Sequence, residues 1–334
     1  MNNTFAMPKE QELVTSMKYA PVALFVYSRP EHTQRTIEAL KLNNEAIDTD
    51  LYIFCDAPNP KANKEQVADI YATHAYLKSL KDGFANINLE ISEIHRGAGK
   101  AIGRGISIVL AKHGKCIILE NDMEVSPLFL EYMNTCLKAY KNDKKIYGIA
   151  STSYNIRLPK WYKKDLYLLP RTESWGWATW DDRWQGIDWD VKDFALLSNS
   201  KSLQNAFNKG GNDLYYMLKD QVEGKTDTWD LQWAWHVFKQ RGYFVYSRYC
   251  FQENKGFDGS GRHCGCNDSV VKYFAPMYIK HKLEIDCTPL KPNGIIISRF
   301  RKYHNKYISF IREIPIINKL IKRMKRIKLY FVNH

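Results

Sequence analysis

Short apolar runs alternate with segments of helical periodicity along the first 120 residues. The runs are uninterrupted and too short for buried helices, which is typical of strands that are covered on both faces. Strands separated by helices pair in parallel, so the pattern predicts a doubly wound α/β sheet with ligands at the carboxyl ends of its strands. The predicted strands are 21–27, 51–55, 87–94 and 115–120, and the predicted helices are 33–42, 64–80 and 97–113.

Acidic residues follow two of the predicted strands. Asp56 comes directly after the second strand, and Glu120, Asn121 and Asp122 stand at the end of the fourth. Divalent cations in nucleotide sites are bound through one or two carboxylates and the substrate phosphates, so these residues predict a metal-dependent site for a nucleotide diphosphate. The alternative is a solvated turn that caps the next helix at Ser126.

The composition is that of a globular domain, with 45% hydrophobic and 25% charged residues. Seven cysteines are scattered along the chain, partly inside apolar runs, which favours a reducing compartment. The first 19 residues lack the apolar core of a signal peptide, and no apolar stretch approaches the length of a membrane-spanning helix. We therefore expect a cytoplasmic protein with one catalytic domain at residues 1–290.

Most of the net charge of +13 lies at the C-terminus. Residues 298–334 contain eleven Lys and Arg residues and one acidic residue, interleaved with apolar residues at roughly helical spacing. Basic amphipathic helices bind anionic membrane surfaces, so we predict a membrane-associating tail at residues 291–334, on the inner face of the membrane. A helix docked on the domain is the alternative. No nucleic acid partner is expected, because the basic segment lacks an aromatic-platform motif.

Four segments resemble a glycosyltransferase of the GT-A type, family 2, in their order and spacing: 21–40, 53–58, 95–105 and 117–132. The Glu120–Asp122 stretch is similar to the Glu-x-Asp metal motif of the N-acetylglucosaminyltransferase that initiates complex N-glycans. The resemblance implies a Rossmann-like, mostly parallel sheet flanked by helices. It also implies a nucleotide-binding half at about 20–125 and an acceptor half at about 126–290.

The same resemblance assigns residues to the donor site. Asp122 would be the direct ligand of Mn²⁺ or Mg²⁺, beside Glu120 and Asn121, where Asn121 leaves one fewer charge than the related enzyme has. Arg29 and Asp56 would line the nucleotide pocket, with Asp56 accepting a hydrogen bond from the base. The loop and helix beneath the donor would contribute Arg96, Gly97, Lys100 and Arg104.

A tryptophan-rich segment at 173–180 resembles the acceptor-side loop of the family. By this resemblance Gly176 lies near the donor sugar. Trp175 and Trp177 have rings that stack on sugar faces in such sites, although clusters of Trp more often fill a core. We therefore expect Gly176 and Trp177 at the donor sugar, with core packing as the alternative for the tryptophans.

Two further segments of the resemblance supply the general base and a second metal ligand. Asp230 would take the proton of the attacking hydroxyl group, with Asp227 as the second candidate and a helix cap as its alternative role. A glycine-rich closing loop would bring His263 to the metal. Cys264 and Cys266 with this histidine supply too few ligands for a zinc site.

Together these features predict an inverting hexosyl- or N-acetylhexosaminyltransferase that uses a nucleotide-diphosphate sugar, by default a UDP-sugar. Membrane association favours a lipid-linked saccharide acceptor, as in the synthesis of bacterial capsule or lipopolysaccharide. A sugar nucleotidyltransferase is one alternative, although Ser28-Arg29-Pro30 lacks the glycine-rich loop that it requires after the first strand. An inactive carbohydrate-binding or membrane scaffold protein is the other.

Overall fold

The computed structural model describes residues 19–258 and 274–302. Each element predicted for the first 120 residues is present, so the predicted α/β arrangement is confirmed. The strands are β1 (Val22–Val26), β2 (Asp50–Cys55), β3 (Asn86–Ile91) and β4 (Lys115–Glu120), and the helices are α1 (Pro30–Lys41), α2 (Lys64–Ser79) and α3 (Ala98–His113).

The second half of the chain is more irregular and contains shorter elements. Its strands are β5 (Met123–Val125), β6 (Ile146–Ala150), β7 (Leu166–Leu169), β8 (Trp177–Trp180), β9 (Tyr243–Ser247) and β10 (Gln252–Asn254). Its helices are α4 (Phe129–Tyr140), α5 (Asp181–Trp184), α6 (Phe194–Ser198), α7 (Lys201–Phe207), α8 (Leu214–Val222), α9 (Asp230–Lys239) and α10 (Gly294–Arg301).

Within the described residues the central sheet has eight strands in the order β3-β2-β1-β4-β8-β6-β9-β7. The first four are parallel, and β8 pairs antiparallel with both β4 and β6. A two-stranded sheet of β5 and β10 lies beyond the end of β4. Because β1, β2 and β4 run in the same direction, the residues that follow them meet at one edge of the sheet.

Apolar side chains cover both faces of the sheet. On one face, Leu24, Ile53 and Leu119 are fully buried in a cluster that includes residues of α1 and α4. On the other face, Phe25 and neighbouring residues pack against α3 and α9. Burial of a large apolar side chain stabilises the fold by about 1.5–3 kcal/mol, so these clusters hold the strand ends in place.

The segment after residue 274 returns to the domain and ends in α10. Asn293 caps this helix, because its Oδ1 accepts hydrogen bonds from the amides of Ile295 and Ile296 at 3.0 and 3.1 Å. Ile296 and Phe300 are fully buried, and the Phe300 ring packs edge-on against Tyr154 at 5.0 Å.

The basic residues of α10 also contact the domain. Arg299 Nη1 donates a hydrogen bond to the carbonyl of Arg157, and Arg301 Nη2 donates to Asn212 Oδ1 at 2.6 Å. Helix α10 is therefore docked on the rest of the described chain, within the segment where a tail is predicted, and the boundary at 290 stays a prediction. The rest of the predicted tail, 303–334, lies outside the described residues. None of the described helices is long and apolar enough to cross a membrane.

Candidate active site

A cleft of about 1410 Å³ opens at the carboxyl ends of β1, β2 and β4, where the sequence predicted ligand binding. It is lined by the residues that follow these strands and by the start of α3, and also by residues 171–175, α8 and the start of α9. Typical small-molecule pockets have volumes of about 300–1,000 Å³. The cleft is therefore large enough for a nucleotide and a sugar together.

Arg29 connects the end of β1 with the residues after β4. Its Nη1 lies 2.9 Å from Asp122 Oδ2, and its Nη2 donates a hydrogen bond to Asn121 Oδ1 at 2.8 Å. Asn121 is further fixed by α1, because Thr36 Oγ1 donates to its backbone carbonyl at 2.9 Å and its Nδ2 donates to Thr33 Oγ1 at 3.1 Å. Asn121 thus shapes the site by its hydrogen bonds rather than by a charge.

The surroundings of Asp122 suit a divalent cation. Its side chain is 7% exposed, and its Oδ1 is buried without a hydrogen-bond partner among the described residues. No cluster of three or more His, Cys, Asp or Glu side chains suited to a metal lies within 19–258 and 274–302. Mg²⁺ is commonly held by one or two carboxylates and the substrate phosphates, so a single free carboxylate oxygen fits such an ion. The predicted second ligand, His263, lies outside the described residues.

Glu120 stands at the end of β4 among other acidic groups. Burial raises its pKa above the ordinary value, and the charge of Asp122 acts in the same direction, whereas that of Arg29 opposes it. The charge of Asp230 also raises this pKa. Asp230, which also lines the cleft, therefore lies within electrostatic reach of the acidic end of β4.

Asp56 holds the loop that leads into α3. Its two carboxylate oxygens accept hydrogen bonds from the amides of Arg96 and Gly97 at 3.0–3.1 Å, and His95 Nδ1 lies 2.9 Å from Oδ2. Asp56 lines the cleft, but these bonds occupy both oxygens. If Asp56 also accepts the predicted hydrogen bond from a nucleotide base, the base must bind an oxygen that already accepts one from a backbone amide.

The other residues predicted beneath the donor fall into two groups. Arg96 lines the cleft, and its buried Nε makes no hydrogen bond to the described residues. Arg104 also lines the cleft, where its Nη1 pairs with Glu90 Oε1 at 2.6 Å. Lys100, by contrast, is exposed on α3 and is not part of the cleft wall.

Gly97 begins α3 with a φ of 79°, a conformation that favours glycine. A Cβ atom there would lie 3.2 Å from Asp227 Oδ2, and one on Gly99 would lie 3.0 Å from Asp227 Oδ1. The Asp227 carboxylate therefore sits over the start of α3. The two candidate bases thus have different neighbours, because Asp227 lies at the start of α3 whereas the charge of Asp230 acts on Glu120.

The structure distinguishes Trp175 from Trp177. Trp175 is half-buried and lines the cleft. Trp177 is fully buried among aromatic rings, stacked on Trp229 at 5.5 Å, so the structure places it in the core and not beside a donor sugar. Gly176, with a φ of 66°, is buried beneath the loop, and its carbonyl accepts a hydrogen bond from the amide of Ser151 at 2.9 Å.

Two residues at the cleft were not predicted from the sequence. Glu173 is 5% exposed on the wall near Asp230, and burial raises its pKa to about 7. Gly256 covers the Asp122 carboxylate so closely that a Cβ atom would clash with Oδ2. Glu173 stands at the start of a segment that the sequence did single out, whereas no local signal marks Gly256 apart from the glycine content of its loop.

The sheet order and the acidic end of β4 in a large cleft define an α/β domain of the GT-A type. The GNT-I family model matches residues 2–189, which is more than half of the chain. The chain belongs to the GNT-I family. This confirms the predicted relationship to glycosyltransferases and to the N-acetylglucosaminyltransferase. The matched residues include Asp122 and Glu173 but end before Asp230.

A curated relative shows the same relationship over a shorter length. The alpha-1,3-mannosyl-glycoprotein 2-beta-N-acetylglucosaminyltransferase of Arabidopsis thaliana is 34% identical over 89 residues, which cover 24% of this chain and 20% of that protein. Among solved structures, TarS of S. aureus has a TM-score of 0.38 at 11% identity, covering 71% of this chain and 60% of TarS. An active-site mutant of LgtC has a TM-score of 0.39 at 10% identity, covering 84% of this chain and 95% of LgtC.

Proposed function

We propose that the chain is an inverting glycosyltransferase that moves a sugar from a UDP-sugar to a saccharide acceptor. The observation that carries this proposal is the electrostatic proximity of Asp230 to the acidic end of β4 within one cleft. Inverting transfer needs a cation at the leaving diphosphate and a carboxylate that takes the proton of the attacking hydroxyl group. Asp122 and Asp230 supply these two functions.

Asp122 would hold Mn²⁺ or Mg²⁺ through its unpaired Oδ1, with His263 as the predicted second ligand. When bound, the cation stabilises the negative charge that develops on the leaving diphosphate. Arg29 orients the Asp122 carboxylate through its other oxygen. Arg96 has an unpaired, buried Nε at the cleft, so it is suited to bind a phosphate oxygen near the start of α3.

Asp230 is the better candidate for the base because its charge acts on both Glu120 and Glu173 in the cleft. It is the first residue of α9, where the helix dipole favours the ionised carboxylate that a base requires. Asp227 is exposed and rests over Gly97 and Gly99. Its role in this proposal is to help position the start of α3.

The relative's name favours N-acetylglucosamine as the transferred sugar, so UDP-GlcNAc is the donor that we propose first. For the acceptor we retain the lipid-linked saccharide of bacterial cell-surface polysaccharide synthesis, reached from the inner face of the membrane. The basic sequence of 303–334 supports this, because it carries most of the net charge. Deleting 303–334 should weaken sedimentation with phosphatidylglycerol vesicles but not with neutral ones; unchanged sedimentation would remove the membrane part of the proposal.

The reaction is tested by measuring nucleotide release from UDP-, GDP-, CMP- and dTDP-sugars with and without Mn²⁺. We expect metal-dependent release from a UDP-sugar that is lost in Asp122→Ala. With an acceptor, Asp230→Asn should lower kcat by about 10²–10⁴-fold, the usual contribution of a general base, and Asp227→Asn should change it only a few-fold. Equal losses in the two Asn variants would contradict the assignment of the base.

Two other outcomes would replace the proposal. Formation of a UDP-sugar from UTP and a sugar phosphate, without transfer to any acceptor, would identify a nucleotidyltransferase. Absence of nucleotide binding for every donor, with glycosides still bound, would identify a non-catalytic carbohydrate-binding protein. Titration calorimetry with UDP and UDP-GlcNAc separates these cases from a transferase that is inactive only because its acceptor is missing.

A further inference from the structure

The cleft wall near Asp230 contains a buried carboxyl group that the proposed transfer does not use. Glu173 lies in the loop before β8, and its Oε1 accepts hydrogen bonds from the amides of Ser174 at 3.0 Å and Trp175 at 3.1 Å. Its Oε2 is buried and has no hydrogen-bond partner within residues 19–258 and 274–302. One oxygen therefore fixes the orientation of the group, while the other remains available to a ligand.

The cation nearest to Glu173 in sequence is already engaged. Arg171 donates from Nη1 and Nη2 to the two carboxylate oxygens of Asp213 at 2.9 and 3.2 Å, and from Nη1 to the carbonyl of Gly210 at 3.1 Å. Its bidentate pair with Asp213 fixes the guanidinium in place. Among the residues that the structure describes, Glu173 has no ion pair, which is costly for a structural carboxylate and common for one that binds substrate.

The protonation of Glu173 suits contact with a hydroxyl group. Burial raises its pKa to about 7, the amides of Trp175 and Ser174 lower it, as does the charge of Arg171, and the charge of Asp230 raises it. Near neutral pH the group therefore exists in both forms. The neutral form donates or accepts a hydrogen bond and the ionised form accepts one, and a hydroxyl partner satisfies either.

The residue whose amide donates to Glu173, Trp175, is aromatic. Trp175 lines the cleft, and its ring packs edge-on against Phe257 at 5.6 Å, which fixes its orientation. A sugar presents an apolar C–H face and a rim of hydroxyl groups, so it is complementary to an aromatic ring with a carboxyl group beside it. The pair lies beside the end of β4, because Trp177 pairs with Ile118 in the antiparallel register of β4 and β8, and the charge of Asp230 acts on Glu173.

We propose that Glu173 Oε2 hydrogen-bonds a hydroxyl group of the saccharide acceptor and thereby positions the acceptor for Asp230, an inference that rests on the proposed transfer. Asp230 removes the proton of the attacking hydroxyl group, and Glu173 holds a different hydroxyl of the same sugar. The donor sugar also carries hydroxyl groups, so the experiment must distinguish a contact of Glu173 with the acceptor from a contact with the donor sugar. The electrostatic proximity of Glu173 to Asp230, the proposed base for the acceptor hydroxyl, favours the acceptor.

The test compares Glu173→Gln and Glu173→Ala with Glu131→Gln, in which a half-buried glutamate on α4, outside the cleft, loses its charge. Calorimetry gives Kd for UDP and for UDP-GlcNAc. Steady-state transfer to a panel of methyl glycosides gives the acceptor KM and kcat, and saturation-transfer NMR with the UDP-bound protein detects glycoside binding without turnover. Thermal unfolding verifies that each variant is folded.

We expect Glu173→Gln to bind UDP and UDP-GlcNAc as the wild type does, to raise the acceptor KM at least tenfold and to weaken the glycoside NMR signal. Glu131→Gln should leave all of these unchanged. A rise only in the Kd of UDP-GlcNAc would move the contact to the donor sugar and overturn the acceptor assignment. Unchanged Kd, KM and NMR signal in a folded Glu173→Gln protein would show that Glu173 is structural.

These outcomes differ from a failure of the proposed function itself. If the wild type binds neither UDP nor UDP-GlcNAc, the transferase proposal fails, and with it the assignment of Glu173 to a transfer acceptor. If the wild type binds and turns over its donor but Glu173→Gln behaves as the wild type does, only the inference about Glu173 is overturned.

Discussion

Arg29 and Asp122 form an ion pair of 2.9 Å between Nη1 and Oδ2, although they stand 93 residues apart in the sequence. The same guanidinium binds Asn121, so one side chain fixes both residues that follow β4. Asp122 is nearly buried, and Arg29 compensates its charge while leaving Oδ1 unpaired. The arginine predicted for the nucleotide pocket and the aspartate predicted to bind the metal therefore form one structural unit.

Replacing Arg29 by Gln should destabilise the protein by about 3 kcal/mol, because the Asp122 carboxylate would remain buried without its cation. Urea unfolding measures this change. Arg35→Gln on α1, the helix that Arg29 precedes, is the matched control, since Arg35 is 52% exposed and its pair with Glu124 at 3.3 Å should contribute less than about 1 kcal/mol. Equal losses in the two variants would show that the Arg29 pair has no special role.

Gly256→Ala should weaken metal and donor binding while the protein remains folded. The added methyl group would clash with Asp122 Oδ2, and Arg29 limits how far that carboxylate moves aside. Titration of Mn²⁺ by electron paramagnetic resonance, with and without UDP, measures the effect; we expect at least a tenfold rise in Kd. Gly294→Ala is the control, because a Cβ atom there meets no atom within 4 Å. Unchanged Mn²⁺ binding in Gly256→Ala would contradict the prediction.

Replacement of Trp177 by Ala should mainly lower stability, whereas replacement of Trp175 by Ala should mainly lower transfer activity. Trp177→Ala removes a fully buried ring from the core and should cost about 3–5 kcal/mol of unfolding free energy. Trp175→Ala removes a half-buried ring from the cleft wall, so it should reduce transfer much more than stability. Unfolding curves and acceptor kinetics on the two variants test this. A larger stability loss in Trp175→Ala would place that ring in the core.

Stability should depend on pH through Glu173. Its pKa of about 7 in the folded protein exceeds the ordinary value of 4.5, so its contribution to stability is complete below pH 4.5 and is lost as the pH rises through 7. The loss amounts to about 3 kcal/mol for a shift of this size. The unfolding free energy of the wild type should therefore fall relative to that of Glu173→Gln between pH 4.5 and 8. Parallel curves would exclude a raised pKa.

The first half of the fold could be predicted because each of its strands has a recognisable local sequence pattern. Continuous apolar runs identify strands buried on both faces, and parallel pairing then brings the strand ends together. Parallel pairing thus predicts that Asp56 and Glu120 lie at the same edge of the sheet, and both line the cleft there. Residues beyond 120 lack this regularity, and the docking of α10 depends on the burial of Ile296 and Phe300, which a basic amphipathic pattern does not specify.

The tryptophans show why the site was only partly predictable. Trp175 and Trp177 are two residues apart and would share one face of a regular strand. Gly176 adopts a positive φ between them, so one ring lines the cleft and the other enters the core. The ion pair of Arg29 with Asp122 and the burial of Glu173 likewise arise from distant segments. Such contacts have no signature in a single sequence.

The packing of α10 has a consequence for the cleft. Phe300 contacts Tyr154, and Tyr154 lines the cleft, so α10 is coupled to the cleft through two packed aromatic rings. A substitution that loosens α10 would therefore disturb the cleft, although no residue of α10 lines it.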